Sequence, residues 1–173
     1  MPTEAIDEGH VRRMLDDDIS TAVFLVQALI PHFEPDSRIV NISSEAARLN
    51  QPAAVALMYG ACKAAWKSMT RVWADALGKK PAMERTTVNS LIVGVIKTGN
   101  TGTGSPDGLP DIEPVRQLVR EKMAARGVDN RLGEVDDEVQ IVGWLCSEKS
   151  RWVSGSAVSK LLKIRARGKF ITL

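Results

Sequence analysis

One short apolar run, from Arg38 to Ser43, most constrains the fold of this chain. Isoleucine and valine form its centre, and β-branched side chains favour a strand. A nearly continuous apolar run of this length predicts a strand of a parallel sheet that is covered on both faces. A second stretch, from Thr86 to Val93, predicts another buried strand, which ends at Gly94.

Helical patterns lie on either side of the first strand. Before it, apolar residues spaced three and four apart predict a helix that Pro31 and Pro35 close: Val11, Leu15, Ile19, Ala22, Val23, Val26, Leu29 and Ile30. After it, a loop from Glu45 to Met58 leads into a helix predicted from about Leu57 to Leu77.

The second half of the chain continues the alternation. Helices are predicted from Asp111 to about Arg126 and from Gly133 to Cys146, and Trp152 to Gly155 is predicted to begin a third strand. The glycine-rich stretch from Thr98 to Gly104 does not run straight into a helix, as a phosphate-binding loop must. We therefore interpret this stretch as a flap over a substrate.

Tyr59 and Lys63 lie four positions apart in the second predicted helix, so a phenol and an ammonium project from one face. There the cation can favour the phenolate, which makes a tyrosine useful as a proton carrier. Ser44 follows the first strand, at the carboxyl end where an open α/β sheet places ligands. Its hydroxyl would hold a substrate oxygen against the phenol. Taken alone, this Tyr-Lys spacing more often means a partly buried phenol beside a solvated lysine.

These motifs occur together in an order that resembles the second half of a short-chain dehydrogenase/reductase. The resemblance covers roughly residues 10 to 157 and rests on Arg38-Ile-Val-Asn-Ile-Ser-Ser44, Tyr59, Lys63, Val88-Asn89 and Gly94-Val-Ile-Lys-Thr98. It implies a truncated Rossmann-like α/β fold, a three-layer sandwich with about three parallel strands flanked by helices.

The resemblance also implies an oxidoreductase that reduces a ketone or oxidises an alcohol of a small molecule, with NADP or NAD as cofactor and NADP expected. In that interpretation Tyr59 gives or takes the proton, Ser44 orients the substrate oxygen, and Lys63 supports Tyr59. Tyr59 and Lys63 also contact the cofactor, where Lys63 holds the nicotinamide ribose, and Ile96 and Thr98 lie along it. The long helix that carries the pair builds a subunit interface in this family, so a homodimer or homotetramer is expected.

Two features depart from the family pattern. The strand and Thr-Gly-x-x-x-Gly-x-Gly turn with which members begin do not precede Met1, so the chain is expected to be a truncated form. The Ser44 strand then lacks a neighbour, and a second copy of the chain is expected to cover that edge. Asp18 stands where the family has a proton-relay Asn, and a carboxylate cannot donate as an amide does. Alternatively, Asp16 to Asp18 is simply a solvated acidic turn.

Two other functions stay open. The chain could be a cofactor-free isomerase, dehydratase or cyclase that reuses the Tyr-Lys-Ser proton-transfer site, or a non-catalytic partner subunit. In domain terms, we predict a dehydrogenase-like domain over residues 1–157 and a basic tail over residues 158–173. No aromatic stacking pattern accompanies the basic residues after Arg151, so neither nucleic acid nor a membrane is expected as a partner.

Composition supports a cytoplasmic globular protein. Of the 173 residues, 44% are apolar and 25% are charged, and no apolar run is long enough to cross a bilayer. Cys62 and Cys146 have no metal-ligand spacing, so we predict two reduced, buried cysteines and no metal site. Catalysis by the Cys62 thiol is not expected, because neither histidine is placed by sequence to serve it.

Overall fold

The computed structural model describes residues 6–48, 55–97, 117–118, 121–122, 124–125, 127 and 130–159. The chain divides into two compact units, Met1–Val93 with Glu138–Val158 and Gly94–Asp137 with Ser159–Leu173. The first unit contains Ser44, Tyr59 and Lys63, the three residues that the sequence predicts to be catalytic.

The first helical segment has four parts: α1 (Glu8–Leu15), a π-helical turn (Asp16–Ser20), α2 (Thr21–Leu29) and a 3₁₀ turn (Ile30–His32). Asp7 caps α1, since its carboxylate accepts a hydrogen bond from the His10 amide at 2.7 Å. The helix and its end near Pro31 are confirmed. The π-helical turn was not predicted, because an apolar stripe does not show which backbone hydrogen bonds skip a residue.

One parallel sheet contains three strands, β1 (Arg38–Ser44), β2 (Thr87–Val93) and β3 (Ala157–Ser159), in the order β1-β2-β3. β1 and β2 pair in register, from Arg38 opposite Thr87 to Ser44 opposite Val93. The central strand, β2, is buried from its first residue to its sixth, which confirms the predicted buried strand, although Thr87, Asn89 and Ser90 are polar. Parallel strands flanked by helices confirm the predicted Rossmann-like α/β class.

The long helix α3 (Val55–Leu77) packs on this sheet. Four buried side chains join it to α2 and β2, and five partly buried ones surround them: Val26, Leu77, Met83 and Val88, with Ile30, Phe33, Ile39, Trp73 and Ala74. A buried hydrogen bond from Asn41 Nδ2 to Thr70 Oγ1, 2.9 Å long, also ties α3 to β1. This packing fixes the helix that carries Tyr59 and Lys63.

Among the described strands β1 lies at the edge of the sheet, with β2 as its neighbour. An apolar cleft of about 380 Å³ lies between β1 and α2, and its lining includes Val26, Ile39 and Trp66. Ile42 of β1 is 47% exposed. The exposed edge that the sequence predicts for the Ser44 strand is therefore present in this part of the chain.

In the second unit, Ile96 forms a parallel bridge with Gly133, and the Lys97 amide donates to the Gly133 carbonyl oxygen at 2.9 Å. Lys97 also forms an ion pair with Glu134. Helix α4 (Val135–Leu145), which belongs to the first unit from Glu138 onward, confirms the helix predicted from Gly133 to Cys146, with a later start.

Three predictions of structure need correction or fall outside the described residues. The third strand begins at Ala157 and not at Trp152, which lies in a turn and is 89% exposed. The predicted flap from Thr98 to Gly104, the tail after residue 159 and most of the helix from Asp111 to Arg126 lie outside the described residues. Within the described part of the chain, no helix has the length and apolar character that a membrane crossing requires.

Candidate active site

Two adjacent serines end β1 and play different parts. Ser43 is buried and donates a hydrogen bond from Oγ to the Lys63 carbonyl oxygen at 2.8 Å, which anchors α3 to the strand. Ser44 begins the 3₁₀ turn Glu45–Ala47, and its Oγ accepts a hydrogen bond from the Ala46 amide at 3.2 Å. Successive side chains of a strand point to opposite faces, so the two hydroxyls separate. Ser44 thus stands at the carboxyl end of β1, as the sequence predicts.

Tyr59 and Lys63 meet on one face of α3. The Lys63 ammonium lies 5.5 Å from the centre of the Tyr59 ring. The same ammonium lies 4.9 Å from the ring of Trp66, one helical turn further on. A cation at these distances is attracted to the faces of both rings. The predicted Tyr-Lys pairing therefore exists, and Tyr59 remains 36% exposed, open to a reactant.

Asp18 pairs with Lys63 across the gap between the π-helical turn and α3. Its Oδ1 lies 2.7 Å from Lys63 Nζ, and the two side chains are only 16% and 15% exposed. Asp18 is therefore no part of a solvated acidic turn, whereas its neighbours Asp16 and Asp17 are exposed. The ammonium still has capacity for further acceptors, because it carries three N–H groups.

Trp66 is a site residue that the sequence did not identify. Its indole Nε1 donates a 2.6 Å hydrogen bond to the Asp18 carbonyl oxygen. The signal was available: Tyr59, Lys63 and Trp66 recur at intervals of four and three, so they share one helix face. A tryptophan in an apolar helix is usually a core residue, so the spacing alone does not identify Trp66 as part of a site.

Cys62 lies next to this pair and is buried, as predicted, with Sγ 3.6 Å from the Met14 carbonyl oxygen. Burial raises the pKa of its thiol, the Asp18 carboxylate raises it further, and the Lys63 ammonium lowers it. A thiol in these surroundings is a weak nucleophile. Cys146 is exposed, which corrects the prediction that both cysteines are buried. It lies just past the end of α4, where the periodic pattern no longer reports a buried face.

The two remaining predicted cofactor residues lie outside the described part of the first unit. Ile96 belongs to the second unit, where its bridge to Gly133 is its described backbone contact. Thr98 lies outside the described residues. Their predicted roles along a cofactor stay predictions.

Comparison with known proteins gives a consistent result. Residues 1–159 match the family described as enoyl-(acyl carrier protein) reductase. The chain is 38% identical over 147 residues to a short-chain dehydrogenase/reductase, FrzI, of a Cladobotryum species, covering 85% of this chain and 54% of that protein. It is 31% identical to the L-xylo-3-hexulose reductase of Hypocrea jecorina, covering 89% of this chain and 56% of the relative.

Solved structures agree with these relatives. The angucycline C-6 ketoreductase LanV, with bound NADP, superposes with a TM-score of 0.75 at 25% identity and covers 91% of this chain and 55% of its own. The promiscuous reductase LugOII, which catalyses keto-reduction at C1 in lugdunomycin biosynthesis, superposes with a TM-score of 0.74 at 25% identity, over 92% of this chain and 57% of its own. The chain spans about half the length of the curated relatives it matches.

Proposed function

Because this chain belongs to the short-chain dehydrogenase/reductase family, we propose that it takes part in the NAD(P)-dependent interconversion of a carbonyl and an alcohol on a small molecule. Ser44, Tyr59 and Lys63 are the catalytic residues in this proposal. The observation that carries it is the Lys63 ammonium 5.5 Å from the Tyr59 ring, on a helix packed behind the strand that ends in Ser44.

In the reducing direction, Tyr59 gives its phenolic proton to the oxygen of the substrate carbonyl. In the oxidising direction, the phenolate takes the proton of the alcohol. In both directions a positive charge near the phenol assists the release of its proton, and the Lys63 ammonium lies 5.5 Å from the ring centre. Ser44 Oγ accepts from the Ala46 amide, so its own proton is available to donate to the substrate oxygen. Tyr59 is open enough to receive a substrate, with 36% of its surface exposed.

The cofactor would supply and accept the hydride. Lys63 fits its nicotinamide ribose, because the ammonium has N–H groups beyond the one that faces Asp18. Tyr59 would lie beside the same ribose, and Ile96 and Thr98 remain the proposed contacts further along. NADP is the proposed form, which the NADP bound to LanV supports.

The relatives favour this proposal over a cofactor-free enzyme or a non-catalytic subunit. Four relatives that are 31% to 38% identical to the chain are named as dehydrogenases or reductases. An isomerase, dehydratase or cyclase would need the same proton-transfer residues but no nicotinamide. Cofactor binding therefore separates these functions.

The test is calorimetric titration of the purified 173-residue chain with NADPH and then NADH, followed by carbonyl-dependent oxidation of NADPH. We expect binding at micromolar affinity or tighter. Tyr59→Phe should abolish turnover with little change in Tm, and Lys63→Met should weaken both binding and turnover. Lys67→Met, one turn further along α3, is the matched control and should retain both. No binding by a folded chain would overturn the proposal.

We also propose that a second copy of the chain covers the edge of β1. Apolar side chains are exposed there and on α2, with Ile42 at 47%, Leu25 at 57% and Phe24 at 65% exposure. Exposed edge strands with apolar neighbours favour association. Sedimentation should therefore give a mass of at least a dimer, and Ile42→Lys should shift it toward the monomer. A monomeric parent chain would contradict this part of the proposal.

A further inference from the structure

We propose that Asp18 is a positioning residue for the active site: its carboxylate holds the Lys63 ammonium beside Tyr59 and cancels much of the charge that the phenol would otherwise experience. The inference rests on the proposed role of Tyr59, since it concerns how that proton carrier is tuned. It changes the interpretation of Lys63 from a lone cation to one half of a neutral pair.

The ion pair has the geometry of a fixed contact. Asp18 Oδ1 and Lys63 Nζ are 2.7 Å apart, and both side chains are at least five-sixths buried. A charge that is largely removed from water needs a partner of opposite sign, so each member holds the other in place. The rings of Tyr59 and Trp66 flank the ammonium and further limit its position.

The backbone around Asp18 is fixed as well. Asp18 lies at the centre of the five-residue π-helical turn, where the Thr21 amide bonds to the Asp16 carbonyl oxygen five residues earlier. Trp66 Nε1 donates to the Asp18 carbonyl oxygen at 2.6 Å. Asp18 therefore contacts α3 twice, through its side chain to Lys63 and through its carbonyl to Trp66. Single π-helical turns inside α-helices are frequent at functional sites.

The electrostatic consequence follows from the distances. Tyr59 has a cation 5.5 Å from its ring centre, but a carboxylate lies 2.7 Å from that cation. The fields of two opposite charges at this spacing oppose each other at a third group. Lys63 should therefore favour the phenolate much less in this chain than an unpaired lysine would. Replacing the Asp18 carboxylate by a neutral group should therefore increase the stabilisation of the Tyr59 phenolate by Lys63.

Other titratable groups lie on the elements that contact α3. Cys62 and the half-buried Lys67 are on the helix itself, and exposed Asp16 is on the π-helical turn. Glu45 is in the 3₁₀ turn after β1, and His10 of α1 is half-buried. The strands add no acidic side chain and one basic one, Arg38, which binds Glu148. None of these groups changes in the variants below, so differences between variants report on Asp18 and Lys63.

Tyr59 is the single tyrosine of the chain, so phenolate formation can be followed by ultraviolet absorbance without cofactor or substrate. The Tyr59→Phe chain supplies the blank for the four tryptophans. We expect Asp18→Asn to lower the midpoint of the titration by about one pH unit. Asp17→Asn removes the same charge from an exposed neighbour and should leave the midpoint within about 0.3 units. A midpoint that is unchanged or raised in folded Asp18→Asn would overturn the proposal.

A second variant covers the case in which Asp18→Asn does not fold. The double variant Asp18→Asn with Lys63→Met buries neither charge, and replacing a buried ion pair by neutral groups is often tolerated. If the charges of Asp18 and Lys63 nearly cancel at Tyr59, the midpoint of the Tyr59 titration in the double variant should lie within about 0.3 pH units of that in the parent chain. A rise of about one unit or more would mean that Lys63 acts as an unopposed cation, and the proposal would be wrong.

These titrations are independent of turnover. A chain that binds no NADPH would overturn the proposed function and leave the Asp18 measurements unaffected. A chain that reduces carbonyl compounds, with no shift in Asp18→Asn, would overturn the inference alone.

Discussion

Gly60 of α3 packs directly against the backbone of Ala46, two residues after Ser44. A Cβ at position 60 would lie 2.7 Å from the Ala46 carbonyl oxygen, closer than real Cβ atoms approach other atoms. The turn that carries Ser44 and the helix that carries Tyr59 and Lys63 therefore reach their observed separation because residue 60 has no side chain. The spacing of the three proposed catalytic residues depends on this contact.

Gly60→Ala should push the turn and the helix apart. We expect a loss of about 1–3 kcal/mol in the free energy of unfolding, because the clash is with backbone that has no rotamer to change. Turnover should fall more than stability does, since Ser44 moves relative to Tyr59. Denaturant unfolding and NADPH oxidation measure the two effects.

Gly143→Ala is the matched control, since a Cβ there would meet nothing within 4 Å. Alanine should be neutral in that helix or stabilise it by up to about 1 kcal/mol. Equal effects at positions 60 and 143 would contradict the argument.

Substitutions of the two adjacent serines of β1 should distinguish a loss of stability from a loss of activity. Ser43→Ala removes a buried hydrogen bond to the Lys63 carbonyl oxygen and should cost about 0.5–1.5 kcal/mol of stability. Ser44→Ala removes the proposed donor to the substrate oxygen and should lower kcat/KM strongly with a smaller loss of stability. Thermal unfolding and steady-state kinetics on both variants test this. A Ser43→Ala chain that is less active than Ser44→Ala, at equal stability, would reverse the assignment.

The sequence was sufficient for the main elements and for the Tyr59–Lys63 pairing. Stretches rich in β-branched residues predict β1 and β2 within one residue of their observed bounds. The prediction that the first strand is covered on both faces is wrong, because Ile42 of β1 is 47% exposed at the edge of the described sheet. A spacing of four on a helix places two side chains on one face, and Tyr59 and Lys63 meet there.

The rest depended on contacts between distant segments. The Asp18–Lys63 pair joins residues 45 positions apart, and no local pattern reports which acidic residue of Asp16 to Asp18 turns inward. The roles of Trp66 and Gly60 have the same origin, because each is defined by a backbone oxygen on another element. The sequence places the start of β3 too early, because apolar Trp152 and Val153 belong to a turn. The Val153 amide there donates to the carbonyl oxygen of Ser150, the last residue of a 3₁₀ helix.

The two cysteines should differ sharply in reactivity. Burial and the Asp18 carboxylate raise the pKa of the Cys62 thiol, and its sulfur is hardly accessible, whereas Cys146 is exposed. At pH 7.5 a thiol reagent should label one site rapidly in the native chain and a second site only after denaturation. Cys146→Ser should remove the rapid phase, and Cys62→Ser should retain it. Rapid labelling that survives in Cys146→Ser would show that Cys62 is reachable.

Asp36 and Arg85 should make the fold sensitive to acid. Arg85 Nε donates to Asp36 Oδ1 at 2.8 Å, and the Asp36 amide donates to the Glu84 carbonyl oxygen at 2.9 Å, so the pair joins the segments that precede β1 and β2. The hydrogen bond from Arg85 holds the pKa of Asp36 below its ordinary value of 3.8, and the charges of Arg85 and Arg38 act in the same direction. The folded state therefore favours the carboxylate.

The lowered pKa of Asp36 makes the free energy of unfolding depend on pH. The stabilisation is present above the unfolded-state pKa and is lost as pH falls from about 4 through the lower folded-state value. Asp36→Asn should be less stable than the parent at pH 7. The difference in free energy of unfolding between the two chains should disappear by about pH 2. Asparagine tolerates the positive φ of 65° at this position, so the backbone is not the cause. Asp75→Asn, which breaks the exposed pair with Lys79, is the control and should show a smaller gap. Denaturant unfolding at pH 7, 4 and 2.5 measures both, and a gap for Asp36→Asn that does not change with pH would refute the linkage.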